Sequence, residues 1–220
     1  MPSPAKKLTD EASVVLLGDF NPVIFHPEWY LRHGLIEEEE GREAKVEVVM
    51  NDVAIVRLKW AVVEVMRERY TARSNDESHF DPLRDLVIGT FNLLEHTPIK
   101  QIGINRHIRF EVENADVWHH IGHVLAPKKH WRTHLREPGL MQITIRGKCG
   151  EPEDHQVNVT LKPISHEPPT IQLEINNHYI LGQTKFDNAN ALLQARWEID
   201  LSSSAKLAED LTNAAIGETI

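Results

Sequence analysis

Three histidines and an aspartate fall within eight residues at D-V-W-H-H-I-G-H, Asp116 to His123. On a helix, Val117, Trp118, Ile121, Val124 and Leu125 gather on one face. Asp116, His119 and His123 then share the opposite side, with His120 at the flank. The i, i+4 spacing of His119 and His123 suits two ligands of one divalent metal, and Asp116 could add a carboxylate. Beyond Pro127, His130 and His134 repeat that spacing if their segment is helical. A catalytic zinc needs three protein ligands and an open position, and no H-E-x-x-H pattern supplies a general base. The polar side of an amphipathic helix needs no metal to explain it, and Asp116 near the helix start complements the dipole. We read the cluster as a solvated face. A divalent-metal site at Asp116, His119 and His123 is the alternative, and no other cofactor is expected.

A second set of polar side chains lies on strands. I-K-Q-I-G-I-N-R-H-I-R-F-E-V alternates, with Ile102, Ile104, Ile108 and Phe110 on one face. Gln101, Gly103, Asn105, His107, Arg109 and Glu111 occupy the other, about 7 Å between successive members. Q-I-G-I-N-R-H (Gln101 to His107) is echoed by Q-L-E-I-N-N-H (Gln172 to His178). Asn105 and His107 therefore share one strand's polar face, as do Asn176 and His178. Asn105, His107, Arg109, Asn176 and His178 are the candidate binding residues, for a polar ligand or a protein partner. A solvated antiparallel face is the competing explanation.

Other chemistry is thinner. Gly18-Asp19-Phe20-Asn21-Pro22 is a strand-to-helix junction whose N–H groups could hold an anion, but Asp19 opposes one and Asn21 fits as a cap. Arg67, Arg69 and Arg73 share parity on a strand, yet no aromatic set accompanies them for RNA. Cys149, in R-G-K-C-G-E-P, is the chain's one cysteine. It reads as part of a turn, excludes an intrachain disulfide and fits a reducing compartment. There is no P-loop, dinucleotide fingerprint, G-x-S-x-G elbow or cysteine zinc knuckle.

The elements that must position these residues read as α+β. S-V-V-L-L-G-D is a buried strand, and Pro27 breaks the following helix from Asn21 to Gly34 into two short turns. A hairpin spans Asn51-Asp52, and A-V-V-E-V-M-R-E-R-Y-T-A-R reads as strand. A helix begins at Asp81-Pro82 with Leu83, Leu86, Val87, Phe91 and Leu94 as its stripe. The first half thus reads as a ferredoxin-like βαββαβ unit. The second reads as a helix, four strands and a helix, a second antiparallel sheet flanked by helices. Its fourth strand is L-L-Q-A-R-W-E-I-D-L, after which serines 202–204 cap the last helix. The division is a flexible tail at 1–12, a ferredoxin-like subdomain at 13–113 and an antiparallel α+β subdomain at 114–220.

With its strand-helix opening, its two-part layout and a strand of the type G-x-x-x-I-x-F after a long helix, loosely matched from Gly103 to Phe110, the chain resembles a sporadically distributed prokaryotic family of uncharacterised proteins. The resemblance implies a two-part α+β fold and no activity.

The chain has 220 residues, 24 basic against 33 acidic, for a net charge of −9. That balance counts against nonspecific nucleic-acid binding and suits a basic partner surface. No signal-peptide h-region and no apolar run of membrane-spanning length is present. The expectation is a noncatalytic cytoplasmic protein acting through protein contacts, as an adaptor, assembly subunit, inhibitor-like partner or homo-oligomer. The rivals are a metal-dependent hydrolase or nuclease on the His/Asp cluster and a nucleic-acid-binding ferredoxin-like module.

Overall fold

The computed structural model describes residues 4–149 and 155–217. Nine strands run through these residues: β1 (Lys6–Gly18), β2 (Lys45–Val49), β3 (Val53–Arg57), β4 (Val62–Met66), β5 (Arg69–Ser74), β6 (Ile99–Glu111), β7 (Ile143–Cys149), β8 (His155–His166) and β9 (Pro169–Ile180). The α-helices are α1 (Pro27–Arg32), α2 (Glu38–Glu43), α3 (Phe80–Leu93), α4 (Ala115–Leu125) and α5 (Ala189–Gly217). The strands form one sheet in the order β2-β3-β4-β5-β1-β6-β9-β8-β7. Each of its eight neighbouring strand pairs is antiparallel.

This overturns the ferredoxin-like first half and the separate second sheet. A βαβ unit needs a crossover helix long enough to return a parallel strand. Between β1 and β2 stand only a 3-10 turn and two six-residue helices, and β2 lies at the sheet edge, four places from β1. The long strands β1 and β6 instead lie side by side, and β6 continues the sheet into β9, from Gln101 opposite Ile180 to Glu111 opposite Thr170. No helix among the described residues is long and apolar enough to cross a membrane.

Several local expectations hold in detail. Asn21 Oδ1 accepts from Val23 N at 3.3 Å over a 3-10 turn, and Pro27 opens α1. Gly34 takes φ 65° just past α1, a left-handed conformation that costs glycine little. The Asn51-Asp52 hairpin closes with Met50 N donating to Val53 O at 2.8 Å. The strand read through A-V-V-E-V-M-R-E-R-Y-T-A-R is two strands, β4 and β5, reversing at Arg67-Glu68.

Two segments differ. β1 begins at Lys6, so much of the expected tail is strand. L-L-Q-A-R-W-E-I-D-L lies inside α5 and not in a strand. Its buried positions, Leu192, Leu193, Arg196, Trp197, Asp200, Leu201 and Ser204, follow the 3.6-residue period. Three of them are polar, so apolarity alone reads as alternation while Ile199 stands 51% exposed. The serines at 202–204 are therefore mid-helix. The turn read around Cys149 lies partly outside the described residues; Cys149 itself ends β7 and is exposed.

Helices α3, α4 and α5 cover one face of the sheet. Ala12, Val14 and Leu16 of β1, Ile102 and Ile104 of β6, and Tyr70 of β5 pack there against Leu83, Val87, Leu193 and Trp197. A second apolar cluster joins Ile108 and Phe110 to Leu173, Ile175, Ile121 and Ala208. Between the two runs a polar seam. Arg106 Nε and Nη2 donate to Asp10 at 2.8 and 2.7 Å, and Nη1 to Leu201 O at 2.7 Å. Asn177 donates to Ser204 Oγ at 3.0 Å, and Tyr179 donates to Asp200, which is paired with Arg196. These bonds lock the register of β1, β6 and β9 to α5, because a buried ion or amide tolerates little displacement from its partner. The same register sets what stands on the opposite, uncovered face.

Candidate binding face

Period-2 geometry sends the alternate residues of β1, β6, β9, β8 and β7 to the face that α3, α4 and α5 leave open. In register, Ser13, Asn105, Asn176, Asn158 and Arg146 fall in one line across five strands. They are hydrogen-bonded in series. Asn105 Nδ2 donates to Ser13 Oγ at 3.2 Å, Asn176 Nδ2 to Asn105 Oδ1, and Asn158 Nδ2 to Asn176 Oδ1 at 3.3 Å. Arg146 Nε closes the line on Asn158 Oδ1 at 3.2 Å. Each amide uses its carbonyl for one neighbour and its NH₂ for the next, so all amides in the line point the same way.

The echoed motifs meet here. β6 and β9 run antiparallel with Asn105 directly opposite Asn176, Gly103 opposite His178 and His107 opposite Glu174. Gly103 keeps that crossing open: a Cβ there would come within 2.8 Å of Asn176 Nδ2.

Beside the amide line lies a groove of about 330 Å³, whose walls include Glu11, Arg73, His107 and His178. His107 Nδ1 stands 3.2 Å from Glu11 Oε1, and Arg73 Nη1 donates to Glu11 Oε2 at 3.1 Å. Burial pulls the Glu11 carboxyl upward, but the hydrogen bonds and charges of His107 and Arg73 outweigh it and hold it below its ordinary value. Burial, with the nearby Arg146 charge, lowers the pKa of His178, which favours its neutral form. Arg109 shares the face outside the groove, exposed, with Nε on Gln172 Oε1 at 2.7 Å.

No protein-family model matches the chain, and no curated protein matches it.

The structure brings together four of the five candidate residues, Asn105, His107, Asn176 and His178, with Arg109 at the margin of the same face. Asn105 is only 6% exposed and fully engaged, so it acts as a strut of the face and not as a group free to meet a partner. Sequence reading missed Glu11, assigned to the tail, and Ser13, Asn158 and Arg146, whose places depend on register. The strand-parity argument did group Arg69 with Arg73, and both line the groove. Arg67 sits in the β4–β5 turn, bonded to Asp52.

The histidine helix lies elsewhere. Asn114 caps α4, accepting from Val117 N at 3.0 Å, and Ile121 is buried beneath it. Asp116 and His119 are exposed. His119 neighbours Trp118 and His166, at ring-centroid distances of 5.0 and 5.5 Å. His123 faces Lys128 and Arg132, whose charges add to burial in lowering its pKa. A divalent cation at His123 would meet that same repulsion. His130 and His134 flank a 3-10 turn, not a helix that would align them. Among the described residues no group of three His, Cys, Asp or Glu side chains is placed to hold a metal ion.

Proposed function

We propose that this chain is a noncatalytic binding protein whose uncovered sheet face docks a protein partner. The observation that carries the reading is the hydrogen-bonded line of Ser13, Asn105, Asn176, Asn158 and Arg146 across the face. A preorganised polar surface loses little side-chain entropy when it binds, which favours recognition of another rigid surface. Arginine is among the residues enriched where proteins meet, and Arg69, Arg109 and Arg146 stand exposed on this face. Although the whole chain is acidic, its exposed face is arginine-bearing, so the partner surface is expected to supply carboxylates and amides. In the groove Glu11 is tied to His107 and Arg73, which suits docking better than chemistry on a substrate.

The test is native mass spectrometry of the protein purified from its own source, as wild type and as Arg109→Ala/Arg146→Ala, two exposed arginines of the face. The reading predicts a defined complex with another protein, or with a second copy of this chain, that the folded double variant loses. A folded double variant that keeps its complex, or a wild type held only to nucleic acid, contradicts it.

A further inference from the structure

On the helix-bearing side, α4, the segment 126–142 and Pro163 of β8 line a half-open cavity of about 800 Å³. That is more than twice the groove on the open face and within the range of small-molecule sites, roughly 300–1,000 Å³. Trp118, Leu135 and Leu140 give it apolar wall, and Lys128, Arg132 and Arg136 give it positive charge. Glu137 is the one acidic residue in the lining.

The basic groups are not explained by ion pairing. Lys128 is 8% exposed, and its ammonium donates to Gly122 O at 2.8 Å and Ala126 O at 2.6 Å, the last carbonyls of α4. Capping the helix accounts for Lys128, since a cation there complements the dipole. It does not account for Arg132 and Arg136. Neither is in an ion pair among the described residues, although the chain as a whole carries excess acid. Lys128 and Arg132 both bear on His123 as positive charges. Clustered cations beside apolar wall raise each other's electrostatic energy, and a bound anion would relieve it.

We propose that this cavity binds a small organic anion, its acidic head among Lys128, Arg132 and Arg136 and its apolar body against Trp118, Leu135 and Leu140. The apolar wall distinguishes the ligand from a bare inorganic anion. Carboxylates with an aliphatic or aromatic body are the class that fits. The site shares no residue with the open face and does not depend on the reading given to that face.

Isothermal titration of the full chain with decanoate tests the proposal, with decyltrimethylammonium and inorganic phosphate as the comparison ligands. Decanoate should bind once per chain, and the cation with the same tail should bind at least about tenfold more weakly, as should phosphate. Arg132→Gln/Arg136→Gln should cost decanoate about tenfold or more in affinity. Both arginines are exposed and unpaired, so the variant should keep the wild-type melting curve. Equal binding of the cationic tail would overturn the charged half of the proposal, and equal binding of phosphate the apolar half. An unaltered decanoate affinity in the folded double variant, or no saturable binding by wild type, would overturn it altogether.

Discussion

Replacing Arg106 by alanine removes the cation at the centre of the seam between the two apolar clusters. Its guanidinium makes three charge-assisted hydrogen bonds, two to Asp10 and one to Leu201 O, and its Cζ lies 5.6 Å from the Phe80 ring centroid. Removing one partner of a buried ion pair costs about 3–5 kcal/mol, because the other charge is left uncompensated. Lys7 Nζ, 3.0 Å from Asp10 Oδ2, would neutralise part of it, so the expected loss is at the lower end, about 3 kcal/mol. For a chain of this length that is a fall in Tm of roughly 6–12 °C. Urea and thermal unfolding followed by circular dichroism would measure it. Asp10→Leu/Arg106→Met, which removes both charges and keeps apolar bulk, should be more stable than Arg106→Ala alone. The pH dependence has a fixed sign. Burial pulls the Asp10 carboxyl upward, but Arg106 and Lys7 hold it below its ordinary value. Its stabilisation is therefore full above the unfolded pKa of about 3.9 and is lost as pH falls through the lower folded pKa. Asp10→Asn should remove part of that acid slope. A folded Arg106→Ala within about 1 kcal/mol of wild type, or a double variant no more stable than it, would refute the reasoning.

Other consequences are as specific. Gly103→Ala should displace the Asn176 amide, whose Nδ2 would lie 2.8 Å from the new Cβ, and lower stability by about 1 kcal/mol in urea titration. Tyr179→Phe should cost about 1–3 kcal/mol by the same assay, because the hydroxyl links Asp200 at 2.7 Å with Arg196 at 2.9 Å in a buried site. Lys162→Ala, which breaks a half-exposed pair with Glu174, should cost less than about 1 kcal/mol and become neutral in high salt. Arg109→Ala/Arg146→Ala, at two exposed positions of the open face, should stay within about 1 kcal/mol of wild type, so that loss of a partner reads as loss of contact and not of fold.

The parts legible in the sequence are those where one local rule acts alone. Alternation along β6 placed Asn105, His107 and Arg109 on a single face, and Pro27 divided the segment after β1 into two turns. The misreadings came where polar residues enter a buried stripe. Arg196, Asp200 and Ser204 line the inner side of α5, so its apolar residues taken alone mimic a strand. Arg106 likewise faces inward on β6, which period 2 allows but residue type obscures. The ferredoxin-like expectation failed because element order does not specify pairing; the short helices between β1 and β2 were the clue that no parallel crossover is built there. On the binding face, strand parity was readable but register was not. Only the echo of Gln101–His107 in Gln172–His178 hinted that Asn105 and Asn176 would stand opposite each other.

The most direct test of the open face as the docking surface is protection of a placed thiol. In a Cys149→Ser background, which removes the exposed native thiol, His107→Cys puts a probe on the open face and Glu198→Cys an exposed probe on α5. Both variants would be mixed with the partner recovered from the native source, and maleimide labelling followed with time. The account predicts that the partner slows labelling at position 107 at least about tenfold and leaves position 198 unchanged. Protection at 198 with free labelling at 107 would contradict it.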